Sequence, residues 1–283
     1  MPAGLASTAL DGMSRLKEAL AAGKPILMDG AMGTELLRAG VDPGPAVNFN
    51  HPEIVQRIHE SYVGAGARVL LTNTFQIKPG TRGRVIAAAV RLARGAAHAE
   101  QIVVASVGMP LAEPDSGSLL SRIPFDELDG ILLETQSNLS ITESLAVAVR
   151  LSVPVMVSMT FRGEAEGRLE TVSGLTPEAV ATSAQHAGIA MLGVNCGRDI
   201  SLADTITILQ AYRSVCHLPL FVRPNAGTPT RVGDRLVYPV TPEEMAAWVP
   251  EAIRAGAIMI GGCCGTTPDH IAACREALAK FDS

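Results

Sequence analysis

Eight short apolar runs recur along the chain, each too short for a helix and each closed by small or polar residues. They read PILMDG (25–30), VLLTNT (69–74), IVVASVG (102–108), GILLET (130–135), PVMVSM (154–159), IAMLGVNCG (189–197), PLFVRPN (219–225) and AIMIGGCCG (257–265). The runs are unbroken rather than alternating, which marks strands buried on both faces, as in a parallel sheet. Between them lie segments with helical spacing. VNFNHPEIVQRIHESYVGAG carries Pro52 near a first turn and Gly64 or Gly66 as a stop. GLTPEAVATSAQHAG opens with Thr176 as N-cap, Pro177 at the first helical position and Glu178 in the first turn. TPEEMAAWVPEAIRAG repeats that opening at Thr241, Pro242, Glu243 and Glu244 and stops at Gly256, and TTPDHIAACREALAKF opens the same way. This alternation predicts an α/β fold, a (β/α)8 TIM barrel in a single domain over 1–283, with the barrel proper at about 24–279. A doubly wound open sheet competes, but no GxGxxG turn follows the first run. Residues 11–22 read as an extra N-terminal helix, placed to plug the barrel floor.

Composition narrows the function classes. A chain of 283 residues, 47% hydrophobic, fits one large core. A net charge of −5 without a Lys/Arg run argues against a nucleic-acid partner. No apolar stretch approaches the roughly 20 residues that span a bilayer. The first twenty residues lack a basic start followed by an apolar block, so no signal peptide is expected. Five cysteines, an odd number, do not make a secreted disulfide framework, and a cytoplasmic chain with reduced thiols is expected.

In such barrels the active site lies at the C-terminal ends of the strands. That layer reads Asp29–Gly30, Asn73–Thr74, Ser106, Glu134, Asn195–Cys196, Asn225 and Cys263–Cys264. Three cysteines therefore converge on one rim, at strands six and eight, while Cys216 precedes strand seven and Cys274 lies within the last helix. Three thiolates suit Zn2+ with its fourth tetrahedral position open. Such a centre is anionic and keeps an incoming thiol deprotonated and nucleophilic, which points to sulfur alkylation. Taken singly, a cysteine after an apolar strand is ordinarily a small buried residue, and a CC pair is compatible with a strained vicinal disulfide or with packing. Gly261, Gly262 and Gly265 are expected to allow turns that aim both side chains at one ion. Gly30 and Gly33 leave N–H groups uncovered at a strand-to-helix turn, with Thr34–Glu35 starting a short helix, a plausible carboxylate cradle. Asp29 and Glu134 are rim carboxylates able to hold an ammonium, although Asp29 is equally placed to cap the following turn. Glu134, after ILL, needs a partner if buried.

These motifs resemble the homocysteine S-methyltransferase family. LMDGAMGTEL, TNTF (72–75), GVNCG (193–197), RPNAGTP (223–229) and GGCCGTTPDHI look like its successive blocks, in family order, closest to the homocysteine-binding module of cobalamin-dependent methionine synthase. The resemblance implies a (β/α)8 barrel that activates homocysteine as a zinc thiolate and methylates it to methionine. It implies Cys196, Cys263 and Cys264 as the zinc ligands. Asp29, with the backbone of Gly30 and Ala31, matches the segment holding the amino and carboxylate groups of homocysteine, and Glu134 matches the acid that binds its amine. Asn73 and Asn195 fall in matching motifs as further substrate-binding candidates. The implied donor is methylcobalamin on a separate corrinoid protein or domain, since the chain ends at Ser283 with no folate or cobalamin module. Few aromatic residues near the strand ends favour that donor over one caged by rings. The alternatives are a stand-alone enzyme using S-methylmethionine, adenosylmethionine or betaine, another thiol or selenol as acceptor, or a non-catalytic zinc-binding subunit that docks a corrinoid protein.

Overall fold

The computed structural model describes residues 15–16, 18–108, 119–137, 153–163, 167–233 and 235–281. Each of the eight apolar runs forms a strand: β1 Ile26–Leu27, β2 Val69–Leu71, β3 Ile102–Val107, β4 Gly130–Gln136, β5 Val155–Met159, β6 Met191–Asn195, β7 Leu220–Arg223 and β8 Ala257–Ile260. They build one sheet in the order β1-β8-β7-β6-β5-β4-β3-β2, with every neighbouring pair parallel. The two ends of that order meet. Met28 bridges Val69 in parallel, and the Asp29 and Arg68 N–H groups donate to Val69 O and Leu27 O at 2.9 and 2.8 Å. The sheet is therefore closed, and the barrel replaces the open-sheet alternative.

Closure divides the apolar residues into two cores. Alternate strand positions, among them Ile26 and Met28, Val69 and Leu71, Ile102 and Val104, fill the lumen with Met156, Met191, Phe221 and Met259. Leu16 and Ala19 join that cluster, each 1% exposed, so the helical segment around 18–21 packs against the barrel floor as expected. Residues 11–14 and 17 of the expected helix lie outside the described residues. The other strand positions pack against the surrounding helices, such as Pro52–Ala65, Gly83–Ala96, Leu202–Val215 and Pro268–Phe281.

The helix signals operate as read. Thr176 Oγ1 accepts from the Ala179 N–H, and Thr241 and Glu244 cap one another reciprocally. Ser201 and Asp204 form a second capping box that the sequence reading passed over. Gly66 ends Pro52–Ala65 in the left-handed region, at φ 102°. Two hairpins, Arg162–Gly163 with Leu169–Glu170 and Thr230–Val232 with Arg235–Val237, rise from the C-terminal side after β5 and β7. Among the described residues no helix is long and apolar enough to cross a membrane.

Candidate active site

The C-terminal mouth encloses a cavity of about 350 Å³ lined by Asp29, Glu134, Arg223 and all three rim cysteines. A larger groove of about 670 Å³ lies at the other face, between Arg68, His98 and Gln101, away from any cysteine. It gathers none of the paired acids or sulfurs, so the chemistry belongs to the C-terminal mouth.

Cys196 follows β6, and Cys263 and Cys264 follow β8. The three Sγ atoms lie within 4.8 Å of one another, each residue partly exposed. All five cysteines are free, which removes the vicinal disulfide, and Cys216 and Cys274 are buried elsewhere. The thiols hydrogen-bond to each other. Contacts with Cys263 and Cys264 pull the Cys196 thiol down to about 2, while the contact with Cys196 pushes Cys263 well up and Cys264 up to about 12. By itself the trio favours one thiolate shared among three sulfurs, and gathering three thiolates requires a cation. Ligand sulfurs about 2.3 Å from a tetrahedral zinc sit about 3.8 Å apart. The observed cluster fits that set, and its open side faces the cavity.

Backbone geometry aims these sulfurs. Cys196 has φ 54°, an uncommon conformation for a residue with a Cβ, and its Sγ lies within 4.8 Å of the other two. The Cys263 N–H donates to Pro224 O at 2.7 Å and Cys264 O accepts from the Ala226 N–H at 2.9 Å, so the segment after β7 templates the CC pair. Glycine serves here in two ways. Gly265 has φ 83° and leaves room for the Tyr238 ring, whereas Gly261 and Gly262 have no positive φ. At Gly262 a Cβ would meet Thr266 Oγ1 at 2.3 Å, so close approach rather than turning explains that glycine, correcting the expectation. The Thr266 hydroxyl donates to Cys263 O (2.7 Å) and accepts from the Ala31 N–H (3.1 Å).

Beside the sulfurs two acids share one guanidinium. Arg223, 3% exposed at the end of β7, donates from Nη1 to Glu134 Oε1 (2.8 Å) and from Nη2 to Asp29 Oδ1 (3.1 Å) and Gly30 O (3.3 Å). Burial opposes its charge, but Glu134 and Asp29 outweigh burial and raise its pKa. Ser106 Oγ donates to Glu134 Oε2 at 2.5 Å. Asp29 does not cap the following turn, because its Oδ2 accepts from the Leu71 N–H at 2.7 Å. Burial lifts the Asp29 carboxyl to about 7, against the lowering effects of Arg223 and the Leu71 N–H. With both acids ionised the cluster is one positive charge short.

The remaining expected residues divide. Gly30, Ala31 and Asn73 line the cavity. The Ala31 N–H is spent on Thr266, and the helix begins at Met32 rather than Thr34, so the cavity-lining residues Met32, Gly33 and Thr34 carry the first-turn N–H groups that have no intrahelical acceptor. Asn73 and Asn48 pair: Asn73 Nδ2 donates to Asn48 Oδ1 and Asn48 Nδ2 to Asn73 O, each at 2.9 Å. Asn195, fully buried, stands behind the wall instead of lining it. The sequence reading missed Arg223, Thr266 and Tyr62, whose hydroxyl lies 3.0 Å from Ala31 O and 3.2 Å from Thr266 O. An arginine directly after PLFV was the available signal, since a charge at that point of a buried strand requires acidic partners.

The chain matches the model of the homocysteine S-methyltransferase family over residues 26–278. It is 28% identical to the methionine synthases of Mycobacterium leprae and Mycobacterium tuberculosis, over 89% of this chain and 24% of each of theirs. The chain thus spans about a quarter of the length of those relatives. The homocysteine methyltransferase MmuM from Escherichia coli, in its metallated form, superposes with a TM-score of 0.75 and 26% identity, covering 93% of this chain and 99% of that one. With the family match running from the first strand into the last helix, this barrel belongs to the homocysteine S-methyltransferase family.

Proposed function

We propose that residues 1–283 act as one barrel domain that holds a single Zn2+ on Cys196, Cys263 and Cys264 and methylates homocysteine to methionine. One observation carries the reading: three sulfurs and two buried acids that share the Arg223 guanidinium line the same cavity. When bound, zinc supplies the Lewis acidity that keeps a thiol deprotonated at neutral pH. The acids supply the rest of the recognition. Asp29 and Glu134 lack one positive charge, and a substrate ammonium provides it. The N–H groups of Met32, Gly33 and Thr34 are available to a carboxylate, while Asn73 and the Gly30–Ala31 backbone close the same wall. Homocysteine, the acceptor named by the family the chain belongs to, carries the thiol, ammonium and carboxylate that these groups would receive.

In the transfer, the substrate sulfur forms a bond to the methyl carbon as the carbon–donor bond breaks. The electron pair leaves with the donor, and the thiol proton has already gone to solvent. The preferred donor is methylcobalamin carried by a separate corrinoid protein or domain, and the likeness to two proteins named methionine synthase supports methionine as the product. A second reading, a small sulfonium or ammonium donor, gains support from Phe75 and Tyr238, two rings that line the cavity. The scarcity of aromatics in the strand ends had argued the other way. Reduced cysteine ligands suit a reducing compartment such as the cytoplasm. The test offers homocysteine with methylcobalamin, S-methylmethionine, adenosylmethionine and betaine in turn and measures methionine. Formation with one donor, lost in Cys196→Ala together with the metal, is expected. Methylation by a metal-free Cys196→Ala protein would overturn the reading.

A further inference from the structure

Asn195, the last residue of β6, is wholly buried and makes more side-chain contacts than its expected place at the substrate requires. Its Oδ1 accepts from the Thr135 N–H at 3.1 Å and from Ser158 Oγ at 2.7 Å. Because a backbone N–H only donates, the Thr135 contact settles which end of the amide is oxygen. The Nδ2 end therefore faces Thr135 Oγ1 at 2.8 Å, Glu134 Oε1 at 3.4 Å and Cys263 Sγ at 3.7 Å. The residues on either side of this contact, Thr135 and Cys196, are two non-glycine residues with positive φ, at 60° and 54°. One planar amide thus spans the ends of β4, β5 and β6 and the loop after β8, between the ammonium-binding acid and a cysteine of the sulfur cluster.

We propose that Asn195 is a positioning residue for the metal centre, its N–H group holding Cys263 Sγ and withdrawing charge from it. The proposal rests on the zinc reading above. A hydrogen bond to sulfur stabilises the thiolate over the thiol and makes it a weaker electron donor. Three thiolates leave a divalent ion with net charge −1, so a weakened Cys263 donor keeps the ion attractive to a fourth sulfur. The same amide reaches Glu134, and this keeps the group that receives the substrate amine at a constant spacing from the metal ligand. A substrate carrying both an amine and a thiol is read by that spacing.

The test loads the full chain with Co2+, whose sulfur-to-metal charge-transfer band reports thiolate donor strength, and measures zinc affinity by competition with a chromophoric chelator. Wild-type protein binding one metal with a thiolate band supports the zinc reading; failure to bind one overturns that reading separately. Asn195→Ala is expected to move the band to longer wavelength, because Cys263 becomes the stronger donor, and to weaken zinc about 10–100-fold, because Cys263 Sγ is no longer held in place for the metal. A purely structural role lowers the melting temperature and leaves the band in place. A folded Asn195→Ala protein with an unshifted band and zinc affinity within about twofold of wild type would overturn the proposal. If that variant does not fold, Ser158→Ala, which frees one side of Oδ1, is read instead. A smaller shift in the same direction supports the proposal, and an unmoved band overturns it.

Discussion

Replacing Arg223 with methionine, similar in length and uncharged, strands two carboxylates. Asp29 and Glu134 are 3% and 6% exposed, and each loses a charged hydrogen bond, of 3.1 and 2.8 Å respectively. Breaking a buried ion pair in this way costs about 3–5 kcal/mol where the acids are ionised. The loss depends on pH because a stranded acid escapes by taking up a proton, at about 1.4 kcal/mol per pH unit above its ordinary value. Asp29, raised to about 7, is already protonated at pH 5 in the unaltered protein, so losing Arg223 costs it little there. Urea unfolding of metal-free protein is the assay, with Arg223→Met compared at pH 8 and pH 5. The expected destabilisation is about 3–5 kcal/mol at pH 8 and smaller at pH 5, where Asp29 is already protonated. Adding Asp29→Asn and Glu134→Gln to Arg223→Met recovers most of the pH 8 loss, because the acids no longer carry charge. A loss under about 1 kcal/mol at pH 8, or equal losses at both pH values, would refute the shared-guanidinium argument.

Three other outcomes follow from the same geometry. Burial holds His59 down at about 4, and neither ring nitrogen has a hydrogen-bond partner among the described residues. The unfolded chain protonates near 6.5 while the native state does not, so stability is full above 6.5 and falls as pH drops toward 4. The fall attributable to His59 is about 3 kcal/mol, and urea midpoints for His59→Leu should decline less than wild type across that window. Homocysteine binding, read as KM, should weaken as pH falls below about 7, because protonating Asp29 removes the charge that attracts the ammonium. A thiol lacking the amine should show less of that dependence in the same assay. Gly262→Ala drives a methyl into Thr266, whose hydroxyl holds Cys263 O, and should displace the CC loop. It is expected to lower zinc affinity by at least tenfold in chelator competition, and affinity equal to wild type would show that the loop absorbs the clash.

The barrel was legible because a parallel strand buried on both faces leaves a run of apolar residues, and all eight runs became strands. The cysteines were legible because each follows such a run, where the fold itself delivers side chains to one mouth. Arg223 was not, because its burial makes sense only once closure brings Asp29 from β1 and Glu134 from β4 to the same place. Thr135 and Cys196 have positive φ without being glycine, so their composition carries no sign of the strain. The role of Gly262 was misread for a related reason: close approach of Thr266, across the loop, is a tertiary fact. Asn195 was recognised as a candidate but placed at the substrate. Its neighbours Ser158 and Thr135 reside on other strands and reveal a different position, behind the cavity wall.

Zinc-edge X-ray absorption of the loaded protein, with and without homocysteine, tests the central claim most directly. Three sulfur neighbours at about 2.3 Å plus one lighter atom are expected alone, rising to four sulfurs when homocysteine is added. A sulfur count that stays the same on adding homocysteine, or fewer than three sulfurs in the free protein, would contradict zinc activation of the substrate thiol by Cys196, Cys263 and Cys264.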